Sequence, residues 1–310
     1  MALIKKDSVR KILTSTSFLA IVACLLWATP FPAIKIGLNY TTPLNFAGLR
    51  FFISGLIIIP FIPKYIDKIK ALNRRSWKLI IEVALLQTTI LYALFYTGVD
   101  LLPGALGAML IGAQPLFAAV MAHLLMKNDK MTWNKISVII LGFIGVCVIS
   151  LGRADFVFTS TIPLGVAILI LNNIVGSTGN VVVSRDAGHI PPRLLASFSM
   201  IIGGAALILI SIPIELPSWT IKPTEYYIAL GWLAIVSATS ITIWFGLLGR
   251  PGVKVSNLNI WKFIIPIFGA CFSWILLPNE SPDAISITGM AIIVASLFLL
   301  NYINRRKVNI

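Results

Sequence analysis

The chain has 310 residues, 58% of them hydrophobic and only 12% charged, with a formal net charge of +14. Soluble domains are about 25% charged, and a mean hydropathy of +0.93 over the full length leaves too little polar surface to cover a water-facing globule. A soluble enzyme, a disordered chain and a secreted disulfide scaffold are excluded, and a polytopic membrane protein remains.

A helix needs roughly 20 apolar residues to cross the hydrocarbon core. Ten stretches meet that length: 17–38, 43–63, 77–99, 103–126, 133–151, 163–184, 192–214, 226–248, 253–277 and 284–303. They are numbered spans 1 to 10. A basic leader (Lys5, Lys6, Arg10, Lys11) precedes span 1, as it would in a signal peptide. Span 1 is longer than a signal h-region and has a counterpart in the second half, so it is read as a retained helix. The connectors are short and none could house a catalytic domain.

With the N-terminus inside and each span crossing once, 20 of the 25 basic residues fall in cytoplasmic segments, and the outer loops keep only Arg153 and Lys222. This is the positive-inside pattern with both termini cytoplasmic. It also explains the net charge without nucleic acid, leaving the lipid bilayer as the partner of the basic loops. Cys24, Cys147 and Cys271 lie in apolar runs and are read as buried free thiols. Two histidines and no metal-ligand spacing give no support for a metal or other cofactor.

The chain divides near residues 152–162 into units 17–151 and 163–303. A shift of 151 positions places Pro115 on Pro266, Asn128 on Asn279 and Asp129 on Glu280. Five spans per unit is odd, so the second unit enters the bilayer from the opposite side. The expected fold is all-α, with ten transmembrane helices arranged as two inverted five-helix repeats. Such repeats build transporters whose site lies at the repeat interface near the midplane.

Several motifs carry a family resemblance. They are Leu26-Trp27-Ala28-Thr29-Pro30-Phe31-Pro32-Ala33-Ile34-Lys35 in span 1 and Leu49-Arg50-Phe51 in span 2. Each half adds a mid-helix proline (Pro115, Pro266), an acidic residue past the helix end (Asp129, Glu280), and glycines in the next helix (Gly142, Gly145, Gly289). On these residues the chain resembles the drug/metabolite transporter superfamily, EamA-type branch, along its whole length. The resemblance implies a multi-pass protein of the cell inner (plasma) membrane that exports or exchanges small metabolites, often amino acids. Asp129 departs from the family's commoner Glu, with little consequence expected at the membrane surface.

Ionisable side chains inside the spans are costly and mark candidate sites. Lys35 is one turn from the outer end of span 1 and can snorkel. Arg50, about two turns below the outer start of span 2, is read as a cavity or anchoring residue. Glu82 lies near the cytoplasmic end of span 3 as an interfacial carboxylate close to Lys78. Lys262 is nine residues into span 9, about 13 Å deep at 1.5 Å per residue, where snorkelling fails. Pro266 removes the donor to the Lys262 carbonyl, and an opened backbone at that depth has to line a cavity or pack on protein. Pro115 does the same to Ile111 beside Gln114, and Pro30 and Pro32 break span 1 after Trp27. These four prolines are the candidate hinges.

The expected substrate-binding residues are Trp27, Arg50, Tyr92, Gln114, Asn172, Asn173, Trp244 and Lys262. Gln87, Asn180, Asn257, Asn259 and Trp261 lie at similar depth. Three intramembrane cations against one acid favour a small-molecule substrate with a carboxylate, and a zwitterionic amino acid fits. Movement would be alternating access by rocking of the two halves. No Walker A motif is present, and Glu82 is poorly placed for proton coupling, so exchange or facilitated diffusion is expected at least as readily. The competing readings are an integral-membrane transferase, which would need clustered acids or a His base, and a channel, which would need polar rings or a carbonyl filter. Neither pattern is visible.

Overall fold

A computed structural model describes residues 13–102, 104–151, 160–218, 220–276 and 282–306. The described chain is helical and without strands. Span 1 forms α1 (Thr16–Ala28) and α2 (Pro30–Leu38), and span 2 forms α3 (Pro43–Ile58). A short surface helix, α4 (Tyr65–Lys70), precedes span 3. Span 3 is α5 (Arg74–Ala84), a π-helical turn (Leu85–Thr89) and α6 (Ile90–Asp100). Span 4 is α7 (Gly104–Gly112) and α8 (Gln114–Leu125), and span 5 is α9 (Trp133–Leu151). Spans 6 to 8 are the unbroken helices α10 (Ile162–Asp186), α11 (Pro192–Glu215) and α12 (Thr224–Leu248). Span 9 is α13 (Val255–Ile260), a 3-10 turn (Trp261–Phe263) and α14 (Ile264–Leu276). Span 10 is α15 (Ala284–Arg306).

Several helices open on a proline in the first turn, including Pro43, Pro163 and Pro192, where the missing N–H costs nothing. Among the described residues, seven helical stretches are individually long and apolar enough to cross a membrane. The seven belong to spans 2 to 8, and Thr16–Ala28 of span 1 and Ala284–Leu300 of span 10 are shorter apolar helices. Leu124, Leu209, Ile214, Ile228 and Phe298 turn outward and are strongly exposed, as expected of a belt facing acyl chains. Of the three thiols, Cys24 is buried, whereas Cys147 and Cys271 are only half-buried.

The packing does not follow the two halves of the chain. Span 6 packs on spans 3 and 4 (α10 against α6 and α8), and span 1 packs on spans 8 and 9 (α1 against α12 and α14). Spans 2 and 7 pair along their length, as do spans 5 and 10. Glycines set the closeness of both pairs. A Cβ on Gly204 would stand 2.4 Å from the Phe52 nitrogen and 2.7 Å from the Gly48 oxygen. Between α9 and α15, a Cβ on Gly145 would meet the Gly289 oxygen at 2.7 Å, and one on Gly289 would meet the Gly145 oxygen at 2.7 Å.

Polar ties join the halves at both ends of the bundle. Asp129, expected at the membrane surface, is instead buried at 1% exposure. It accepts from Lys135 Nζ at 2.5 Å, from the Ser256 hydroxyl at 2.5 Å and from the Ser256 N–H at 2.8 Å. The carboxylate thus caps the N-terminus of α13, where free N–H groups and the helix dipole favour an anion. Its repeat counterpart Glu280 lies outside the described residues. At the opposite end, Glu215 caps α3 in the same way, accepting from the N–H groups of Leu44 (2.8 Å) and Asn45 (3.1 Å). The Tyr40 hydroxyl donates to Glu225, a hydrogen bond that holds the phenol's ionisation above its usual range.

Removing one partner of a buried ion pair costs about 3–5 kcal/mol, because the other charge is left buried. Asp129→Asn should therefore lower unfolding stability in detergent by that order. The double variant Asp129→Asn/Lys135→Met should lose clearly less than the sum of the two single variants. Gly289→Leu, which drives a side chain into the α9 backbone, should cost about 1–3 kcal/mol or more in the same assay.

Candidate functional site

Spans 1, 2, 3, 4, 6, 8 and 9 enclose a cavity of about 200 Å³. Four of these spans are interrupted beside it, and each interruption has a local cause. In span 1, Pro30 cannot donate to the Leu26 carbonyl, and Thr29 supplies both its N–H (3.2 Å) and its hydroxyl (2.9 Å) to that oxygen instead. In span 3, the π turn leaves the Thr89 hydroxyl shared between the carbonyls of Ala84 and Gly203, each at 3.3 Å. In span 4, Pro115 sits in the first turn of α8 and the chain breaks at Ala113. In span 9, the 3-10 turn carries Lys262, and the Ile264 N–H turns back to the carbonyl of Trp261.

Span 6 adds side-chain amide donors to backbone carbonyls of spans 3 and 4. Asn172 Nδ2 donates to the Leu91 carbonyl in span 3, and Asn173 Nδ2 to the Leu110 carbonyl in span 4, both at 2.6 Å. Gln87 Nε2 returns a bond from span 3 to the Gly176 carbonyl at 2.8 Å. Gly179 makes room for that glutamine, since a Cβ there would stand 2.2 Å from Gln87 Nε2. The glycines of span 6 thus serve close packing, Gly179 against Gln87, Gly176 against Leu91 and Gln114, and Gly165 against Leu102.

Lys262 carries the chemistry of one end. Its Nζ donates to Gln114 Oε1 at 2.8 Å. It also lies 4.8 Å from the Trp244 ring centre and 5.3 Å from that of Trp27. The two indoles meet edge-on at 5.0 Å, so the ammonium sits against two aromatic rings, a geometry that stabilises a desolvated cation. Trp244 Nε1 donates to Asn180 Oδ1 at 3.3 Å, and Asn180 Nδ2 donates to Asn259 Oδ1 at 3.1 Å. This chain fixes the ring orientation.

Arg50 holds the second positive charge, at 3% exposure. Its Nε donates to Ser237 Oγ at 2.7 Å, and its guanidinium lies over Phe51 (4.9 Å) and Tyr92 (5.9 Å). Among the described cavity-lining residues there is no Asp or Glu. Glu82 is exposed in the first turns of span 3 and is not in the cavity wall with either cation.

The eight residues expected to bind substrate, Trp27, Arg50, Tyr92, Gln114, Asn172, Asn173, Trp244 and Lys262, all line this one cavity. So do Gln87, Asn180 and Pro30. Asn257, Asn259 and Trp261 are not in its wall, and neither are the proline rings of Pro115 and Pro266. The side chains of Pro32 and Lys35 lie outside the described residues. Sequence reasoning missed Thr88, Phe95, Tyr96 and the apolar positions Ile34, Ile241 and Ile265. The 151-residue shift could have found Ile265, because it is the repeat mate of Gln114 just as Lys262 is the mate of Ile111. All four line the cavity.

A family model described as the EamA-like transporter family matches residues 14–151 and again residues 163–302. The chain belongs to this family. Uncharacterized transporter YvbV of Bacillus subtilis is 27% identical over 298 residues, covering 93% of this chain and 92% of that protein. A probable amino-acid metabolite efflux pump of Salmonella typhimurium is 24% identical over 296 residues, covering 91% and 93%. One crystal structure is similar with a TM-score of 0.80 at 18% identity, over 94% of this chain and 97% of that one. It shares the fold. The chain is thus a multi-pass membrane transporter of this family.

The Leu110 carbonyl keeps its bond from the Ala113 N–H at 3.2 Å, so losing the amide removes one ordinary hydrogen bond, worth about 0.5–1.5 kcal/mol. Asn173→Leu should therefore lower thermal stability in detergent by that order, with a further loss on adding Asn172→Leu.

Proposed function

We propose that the chain is a secondary transporter of small carboxylate-bearing metabolites, working as an exporter or exchanger in the cell inner membrane. Its units would be 17–151 and 163–303, ten spans in two inverted repeats with both termini cytoplasmic. The packing pattern supports this arrangement. Span 6 lies on spans 3 and 4 as span 1 lies on spans 8 and 9, and spans 2·7 and 5·10 pair like with like. A two-fold axis in the membrane plane generates that pattern. The basic residues of the even-numbered connectors support the cytoplasmic assignment, with the bilayer as partner and no role for nucleic acid.

The observation that carries the reading is the cavity itself. A lysine amine set against two indoles and a glutamine, at the meeting of spans from both halves, offers a docking point for an anion. The name of the Salmonella relative points to substrates that bear a carboxylate. Alternating access would then rock the block of spans 3, 4 and 6 against the block of spans 8, 9 and 1. This revises the simpler picture of one chain half moving against the other. The interrupted helices at Thr29, Leu85–Thr89, Ala113 and Trp261–Phe263 sit between the blocks and the cavity, where changes in backbone angle are cheapest. With no carboxylate in the described lining, exchange or facilitated diffusion is favoured over proton coupling.

The test is flux in proteoliposomes across amino-acid, organic-acid, sugar and nucleoside panels, with and without a pH gradient. One charge-assisted hydrogen bond is worth about 1.5–3 kcal/mol, so Lys262→Met should reduce the kcat/KM of the transported carboxylate by about 10- to 100-fold. Lys262→Arg should retain part of it. Flux of every panel member unchanged by Lys262→Met would remove this reading of the site.

A further inference from the structure

We propose that the ligand is a small dicarboxylate, held with one carboxylate at Lys262 and the other at Arg50, in preference to a zwitterionic α-amino acid. This rests on the transporter reading and narrows its substrate class.

A buried cation, Arg50, and a half-buried one, Lys262, line one cavity, and the described lining gives neither of them an acidic partner. Their protein contacts are neutral: a glutamine oxygen and two indoles for Lys262, a serine hydroxyl and two aromatic rings for Arg50. Each contact set uses one donor, whereas an ammonium has three and a guanidinium five. Charge and donor capacity are therefore left over at both places. A bound dianion would cancel both charges, and a monoanion only one.

The cations also form two poles rather than one clamp. Lys262 sits on span 9 and its partners on spans 1, 4 and 8. Arg50 sits on span 2 and its partners on spans 2, 3 and 8. No side chain contacts both among these interactions. Two separated poles match two anionic groups at the ends of a short chain, whereas a single phosphate would need both cations on one set of oxygens. An α-amino acid fits poorly for a related reason. Its ammonium would bring a third positive charge into a space whose described acceptors are amides, hydroxyls and carbonyls. A cavity of about 200 Å³ holds a short-chain diacid but falls below the range typical of drug-sized ligands.

The experiment uses the purified full-length protein in proteoliposomes and three compounds on one five-carbon skeleton: glutarate, its mono-amide and glutamate. Succinate and adipate bracket the chain length, and inorganic phosphate is included as a competitor. The expected result is that the best dicarboxylate exceeds its own mono-amide and its α-amino analogue by about tenfold or more in kcat/KM. In Arg50→Gln that preference over the mono-amide should fall to near unity, while Arg50→Lys should keep most of it. Size-exclusion profile and thermal midpoint verify that each variant is folded. Glutamate or the mono-amide moving as well as the diacids would overturn the dicarboxylate assignment and leave the transporter intact. Competition by phosphate without diacid flux would overturn it too, as would sugar or nucleoside flux alone. No flux of any compound in the wider panel would overturn the transporter reading itself.

Discussion

A cation at mid-bilayer depth costs about 2.5–3.5 kcal/mol even on insertion scales, and this cavity holds two without a carboxylate in its described lining. That constraint organises what surrounds it. The indoles of Trp27 and Trp244 give Lys262 polarisable faces in place of water, and Gln114 gives it one fixed oxygen. Phe51, Tyr92 and Ser237 do the equivalent for Arg50. None of these partners neutralises the charge. They lower the cost of holding it in a dry bundle and leave the field of both cations directed into the cavity.

The second organising demand is that every backbone group in a lipid-embedded segment find a partner inside the protein. The interrupted helices meet this in two ways. Thr29 repairs its own break with a local hydroxyl, and the 3-10 turn around Lys262 folds its next N–H back onto the chain. In span 4 the Ala113 N–H bonds the Leu110 carbonyl, and amides of span 6 add a second donor there and one at Leu91 in span 3. The repeat is symmetric in where spans 4 and 9 break and asymmetric in what lines the break. Ile111 and Gln114 stand on one side, Lys262 and Ile265 on the other, with the Gln114–Lys262 bond running diagonally between them.

Much of the site was legible in the sequence because a polar residue stands out against an apolar run. Lys262, Arg50 and the asparagines of span 6 are visible for that reason, and Trp27 and Trp244 for lying too deep for an interfacial belt. What stayed hidden depends on how spans approach one another. Ser237 bonds its own helix through Leu233, as serines in apolar helices commonly do, and nothing in the sequence marks it as the partner of Arg50. The π turn at Leu85–Thr89 contains no glycine or proline to announce it. Asp129 looked like a surface residue because its burial comes from the arrival of α13, a segment more than a hundred positions later.

The amides of span 6 also bear on biogenesis. The Leu91 and Leu110 carbonyls belong to the first half of the chain, and their donors Asn172 and Asn173 to the second. When the first five spans have entered the bilayer, those two oxygens still lack their side-chain donors. The binding chamber can therefore be finished only after synthesis has passed its midpoint, and a half-length product would carry an unsealed polar seam into the lipid.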